Sequence, residues 1–173
     1  MFLGRFQPFH QGHRDALQSL QKDFDEVRVL IGSADRSGEQ KNPLEFSTRK
    51  QMIQNCTDIQ VNGIEDESKD EEGNRKWASK LEDEVEDAVL VSGNELVQRL
   101  VKEYTEIELR EPDYSDPEVY SGTEIRRRIR SGEEWRYLVP ECSTEILEEH
   151  LEAVEESGIE YEFEQGWKKE NAF

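Results

Sequence analysis

Two of the chain's three histidines stand three residues apart, His10 and His13, in the string Gly4-Arg5-Phe6-Gln7-Pro8-Phe9-His10-Gln11-Gly12-His13. The apolar residues Met1-Phe2-Leu3 precede the string, and a helical pattern opens at Arg14. That spacing sets both imidazoles beside the first turn of a helix. There, free backbone N–H groups and the macrodipole favour an anion. Gly12 between them would let a ligand approach the main chain, and Arg5 adds a cation to the same region. The arrangement suits a polyphosphate. A metal pair or a satisfied surface turn is the other reading of two histidines at a helix start.

A second stretch has matching chemistry: Ser121-Gly122-Thr123-Glu124-Ile125-Arg126-Arg127-Arg128-Ile129-Arg130. Ser121 followed three residues later by Glu124 is a capping box, the mark of a helix start. Ile125 and Ile129 lie one turn apart and face a core. The hydroxyls of Ser121 and Thr123 sit at the positive end of that helix, where they can hold phosphate oxygens. Arg126 offers a planar fork for two more. Arg127, Arg128 and Arg130 are expected to pair with acidic neighbours on the surface.

The elements that must position these groups follow from hydrophobic periodicity. Strands are expected at 1–6, 27–31, 59–64, 88–91 and 106–109. Helices are expected at 13–21, 47–56, around Trp77 and Leu81, at 95–104, from Gly122, and at 143–156. Strands alternating with helices indicate an α/β fold with a doubly wound, parallel five-stranded sheet and helices on both faces. Ligands of such sheets bind beyond the carboxyl ends of the strands. There 4–13, 33–42, Gly93-Asn94 and 121–130 would converge. Residues 1–156 read as one domain, and 157–173 as a tail of no assigned structure.

The string ending in H-x-G-H resembles the signature of the nucleotidylyltransferase superfamily. In the form GRFQPxHxGH it is closest to the archaeal nicotinamide-nucleotide adenylyltransferase family. The stretch from Ser121 resembles that family's second signature, whose Ser/Thr and Arg grip the ATP triphosphate. Asn42-Pro43 with Arg49 resembles a segment whose arginine contacts nucleotide phosphate. Asn74 with Trp77 resembles one whose tryptophan stacks on nicotinamide, and Ser92-Gly93-Asn94 the turn that meets the ATP ribose and adenine. Ser37-Gly38 and 44–48 depart from the family pattern.

The resemblance implies a Rossmann-like fold and adenylyl transfer from ATP to nicotinamide mononucleotide, giving NAD and pyrophosphate. Another phosphorylated acceptor (flavin mononucleotide or phosphopantetheine), CTP as donor, and a nonenzymatic nucleotide-binding module are the alternatives. It implies His10, His13 and Arg126 as catalytic residues. ATP would be bound by Gly4, Arg5, Phe6, Gln7, Pro8, His10, Gly12, His13, Gly93, Asn94, Ser121, Thr123 and Arg126. Ser33, Arg49, Asn74 and Trp77 would hold the acceptor. It also implies Mg²⁺ carried mainly on ATP phosphates, no metal ligands from the protein, and a homo-oligomer.

Composition adds a setting. The chain has 173 residues, 41 acidic against 22 basic, for a formal charge of −19. Such a surface argues against nonspecific nucleic-acid binding. It suits a cytoplasm of very high salt, where the screening length falls to about 3 Å at 1 M, and so a halophilic source. Cys56 and Cys142 lack metal-ligand spacing, and a reduced intracellular compartment is the expectation. No signal peptide or membrane span is expected.

Overall fold

A computed structural model describes residues 1–113 and 119–157. Five parallel strands form one sheet: β1 (Phe2–Gly4), β2 (Arg28–Ile31), β3 (Gln60–Gly63), β4 (Leu90–Val91) and β5 (Leu109–Arg110). Their order is β3-β2-β1-β4-β5. Phe2 pairs with Val29 on one side and Val91 on the other. The order reverses between β1 and β4, and a crevice opens at the strand ends where neighbouring connections leave in opposite directions.

The inner strands β1, β2 and β4 are largely buried on both faces, as parallel strands covered by crossover helices must be, whereas the edge strands β3 and β5 are partly exposed. Successive residues alternate between two cores. Phe2, Val29, Ile31, Val61 and Val91 point to one. Met1, Leu3, Leu30 and Leu90 point to the other. The first core is closed by α1 (Gln11–Asp23), α2 (Phe46–Gln54), α5 (Gly122–Ser131) and α6 (Glu141–Glu148), through Leu17, Met52, Ile125, Ile129 and Leu147. The second is closed by α3 (Glu71–Val85) and α4 (Glu95–Tyr104), through Trp77, Leu81, Leu100 and Val101.

Most element ends shift by a residue or two from those expected, and three differences stand out. β1 stops at Gly4, because Phe6 takes φ 52° and turns the chain out of the sheet. β5 lies at Leu109–Arg110 rather than 106–109. The helix expected over 143–156 is two pieces, α6 and a stretch at 151–157, separated by a turn at Glu149 and His150. Most of the expected tail falls outside the described residues.

The cysteines also depart from expectation. Cys56, just after α2, is disulfide-bonded to Cys142 in α6. The two are 86 residues apart in sequence. Spacing alone could not show that α2 and α6 pack side by side.

Candidate active site

The functional side chains meet because two helices start at one place. His10 is the N-cap of α1, and its extended backbone leaves the side chain free to fold back. The two histidines cap each other: the His13 N–H donates to His10 Nδ1, and the His10 N–H to His13 Nδ1, both at 3.3 Å. The rings stack with centroids 3.6 Å apart. An Nδ1 that accepts a hydrogen bond carries no proton, so each neutral ring is the Nε2–H tautomer. Burial pushes the His10 pKa down to about 3. His13 is driven well below its ordinary value by burial and then by His10. Both are therefore uncharged donors at neutral pH.

Ser121 is the N-cap of α5 and accepts the Glu124 N–H at 3.2 Å. Only this half of the capping box forms. The Glu124 carboxylate turns instead to Arg127 and Arg128 on the next turn. Arg126 points inward and is 5% exposed. One Nη1 donates to the main-chain oxygen of Gln7, and Nη2 donates to Thr123 Oγ1 at 3.4 Å. Its Nε is buried and has no hydrogen-bond partner among the described residues. Burial, then the nearby charges of Arg5 and Arg130, lowers its pKa to about 10, so it remains a cation at neutral pH. A buried cation with an unmet donor is costly unless an anion reaches it.

Close approach of the two helices depends on two glycines. A Cβ on Gly122 would stand 2.6 Å from the Gln7 oxygen, and one on Gly12 would meet Tyr120 Cβ at 3.1 Å. Gly12 thus makes room for the neighbouring chain segment rather than for a ligand.

A cavity of about 310 Å³ lies between the helix starts. It is lined by Gly4, Arg5, Phe6, Gln7, His10, His13, Gly93, Asn94, Ser121, Thr123 and Arg126, all expected there. Pro8 and Gly12 do not line it. Leu3, Tyr120 and Gly122 line it without having been singled out. Tyr120 and Gly122 flank the Ser121 cap, which was the available signal. Asn94 also caps α4, accepting from Leu96 and Val97.

The residues expected for the acceptor do not line this cavity. Arg49 is fully buried, and its five N–H groups meet main-chain oxygens: Glu45 from Nε, Arg5 and Gly32 from Nη1, Ser33 and Arg36 from Nη2. It ties the turns after β1 and β2 together and has no donor left for a phosphate. Trp77 is 8% exposed and packs in the second core. Ser33 follows β2 with φ 48° and donates to Asp66 at 3.0 Å. Asn74 sits in the first turn of α3. Arg130, expected to pair with surface acids, instead donates to the oxygens of Val154, Gln40 and Ser157. Arg127 does pair as expected, with Glu124 and Glu133.

Residues 1–128 match a family model described as cytidylyltransferase-like. The chain belongs to the cytidylyltransferase-like family. Among relatives in that family, the nicotinamide-nucleotide adenylyltransferase of Methanolobus tindarius is 35% identical over 167 residues, spanning 92% of this chain and 96% of that one. The enzyme of the same name from Halobacterium salinarum is 35% identical over 150 residues, spanning 86% and 84%. The fold is shared with a solved bifunctional NMN adenylyltransferase/ADP ribose pyrophosphatase from Francisella tularensis, at TM-score 0.75 and 23% identity. The match covers 97% of this chain and 55% of that one. A structure of the bifunctional protein with AMP and a Mn ion superimposes at TM-score 0.69 and 20% identity, over 99% of this chain and 56% of the other.

The cavity of this cytidylyltransferase-like chain bears on metal use. Among the described residues that line it there is no carboxylate. Neutral amides, hydroxyls, imidazoles and two guanidinium groups line it, so it offers a divalent cation no carboxylate ligand.

Proposed function

We propose that this chain transfers the adenylyl group of ATP to nicotinamide mononucleotide, giving NAD and pyrophosphate. The observation that carries the reading is the shared cavity. His10 and His13 from the first motif, and Ser121, Thr123 and Arg126 from the second, line it although more than a hundred residues separate the motifs. Relatives about a third identical over nearly their whole length have that activity in their names.

The reaction needs little from the protein beyond placement and charge. An oxygen of the acceptor phosphate bonds to the α-phosphorus of ATP. The bond from that phosphorus to the bridging oxygen breaks, and pyrophosphate leaves with the electron pair. A phosphate monoester is ionised near neutral pH, so no strong base is required. Two Nε2–H donors and the Arg126 guanidinium, all on buried side chains, would meet negative charge where such contacts are stronger than in open water. The start of α5 adds its dipole and the Ser121 hydroxyl. A divalent cation, Mg²⁺ in this reading, would supply charge neutralisation on the phosphates.

Ser33, Asn74 and Trp77 are proposed for the acceptor side. Ser33 follows β2, and Asn74 and Trp77 stand on α3. Arg49 would serve that side by shaping its loops. A cytoplasmic homo-oligomer is the proposed setting. No described helix is long and apolar enough to cross a membrane.

The test is pyrophosphate release from ATP, and separately from CTP, with a panel of acceptors: nicotinamide mononucleotide, flavin mononucleotide and phosphopantetheine. Release with ATP and nicotinamide mononucleotide, and formation of NAD, is expected. Preference for another acceptor would move the chain to a sibling transferase. Tight ATP binding with no release for any acceptor would make it a binding module.

A further inference from the structure

Gln7 touches both halves of the site and yet does not need to touch substrate. It is 3% exposed. Its side-chain amide is paired twice with the main chain of one residue, Leu44. Nε2 donates to the Leu44 oxygen, and the Leu44 N–H donates to Oε1, both at 2.9 Å. Its own main-chain oxygen accepts from Arg126 Nη1. Leu44 is buried in the first core and stands just before α2. The loop it ends is joined to the other turns by Arg5 on Asn42, and α2 by Arg49 on the Arg5 oxygen.

We infer that Gln7 is a positioning residue that registers the loop before α2 against Arg126, and so sets the acceptor in line with the α-phosphorus. This rests on the adenylyl-transfer reading above. The physical ground is the direction of its hydrogen bonds. A buried primary amide whose donor and acceptor close on the C=O and the N–H of one residue holds both peptide groups that flank it. Arg126 is held on the same residue, so the phosphate clamp and the acceptor-side loop share one anchor. Small misplacements of two reactants cost rate out of proportion to the energy involved, about a hundredfold for 1 Å. The Nε2 amide carries a second N–H, so direct contact with a phosphate is tested separately, through the KM for ATP.

Two variants test this in steady-state turnover with ATP and nicotinamide mononucleotide. Gln7→Met keeps the length of the side chain and loses both hydrogen bonds. Its kcat is expected to fall at least tenfold and its KM for nicotinamide mononucleotide to rise, with KM for ATP within about threefold of wild type. Gln7→Glu offers only an acceptor while ionised, but once protonated it repeats both bonds to Leu44. Its kcat relative to wild type is expected to recover as pH falls, whereas that of Gln7→Met stays flat. A purely structural role would lower the melting temperature without producing either the split between substrates or the pH-dependent recovery.

Near-normal kcat in a folded Gln7→Met protein overturns the inference. So does a loss confined to ATP affinity, which would mean direct contact with the nucleotide. If Gln7→Met fails to fold, Gln7→Glu compared with itself across pH decides, and a flat ratio to wild type overturns the inference. Absence of turnover in the wild-type protein would instead defeat the functional reading.

Discussion

His10 and His13 satisfy each other's backbone, each Nδ1 accepting the other residue's N–H at 3.3 Å. This reciprocal cap fixes the tautomer of both rings before any ligand arrives. His13→Ala should lower kcat by a hundredfold or more, the scale seen when one preorganised donor is removed from a charged transition state. The circular dichroism spectrum should be unchanged. Turnover close to wild type would take His13 out of the chemistry.

On the adenylyl-transfer reading, Arg126, whose Nε has no hydrogen-bond partner among the described residues, is expected to meet the triphosphate. Arg126→Ala should weaken binding of a nonhydrolysable ATP analogue by roughly 10- to 100-fold, as expected for a charge-assisted bond of about 1.5–3 kcal/mol. Calorimetric titration reads this directly. If only the acceptor's KM moved, Arg126 would belong to the other substrate.

Acid should unfold the protein in part through His10. Its folded pKa of about 3 lies below the ordinary 6.5 of the unfolded chain. Between these values the unfolded state binds the extra proton, so stability is lost as pH falls. The loss is about 2 kcal/mol by pH 5 for this one group. His10→Asn keeps an oxygen to cap the helix and cannot titrate. Chemical denaturation of both proteins at pH 7 and pH 5 should show wild type losing more, and equal losses would refute the account.

How far the sequence foretold this site depends on which residue is considered. His10, Ser121 and Arg126 were legible because helix starts and phosphate binding use the same local chemistry, which a short string can carry. Arg49 was not. Its type suggested a phosphate contact, but five carbonyls from three separate turns enclose it, and no local pattern encodes that. Trp77 was ambiguous for a related reason, since helical spacing serves a core and a ring stack equally. The parallel sheet was legible from its apolar runs, whereas the break at Glu149 and His150 lies within an unbroken helical composition.

The disulfide should matter to stability more than to catalysis, since neither Cys56 nor Cys142 lines the cavity. Cys142→Ser, or a reductant, should lower stability by about 2–4 kcal/mol in a denaturant titration. Turnover well below the melting temperature should stay within twofold of wild type. An unreacted thiol count of two in the native protein would show that the bond does not form.

The charge of −19 gives a salt prediction. Raising KCl from 0.1 to 2 M should raise the melting temperature by roughly 10 °C, about 3 kcal/mol of relieved repulsion in a chain of this length. A melting temperature independent of salt would argue that the acidic surface is no adaptation to brine.

The bond between Cys56 and Cys142 closes a covalent ring that contains α5 and leaves α1 outside it. A protease that nicks the backbone anywhere inside that ring cannot release either fragment. The histidine-bearing piece and the arginine-bearing piece stay tethered until the cystine is opened.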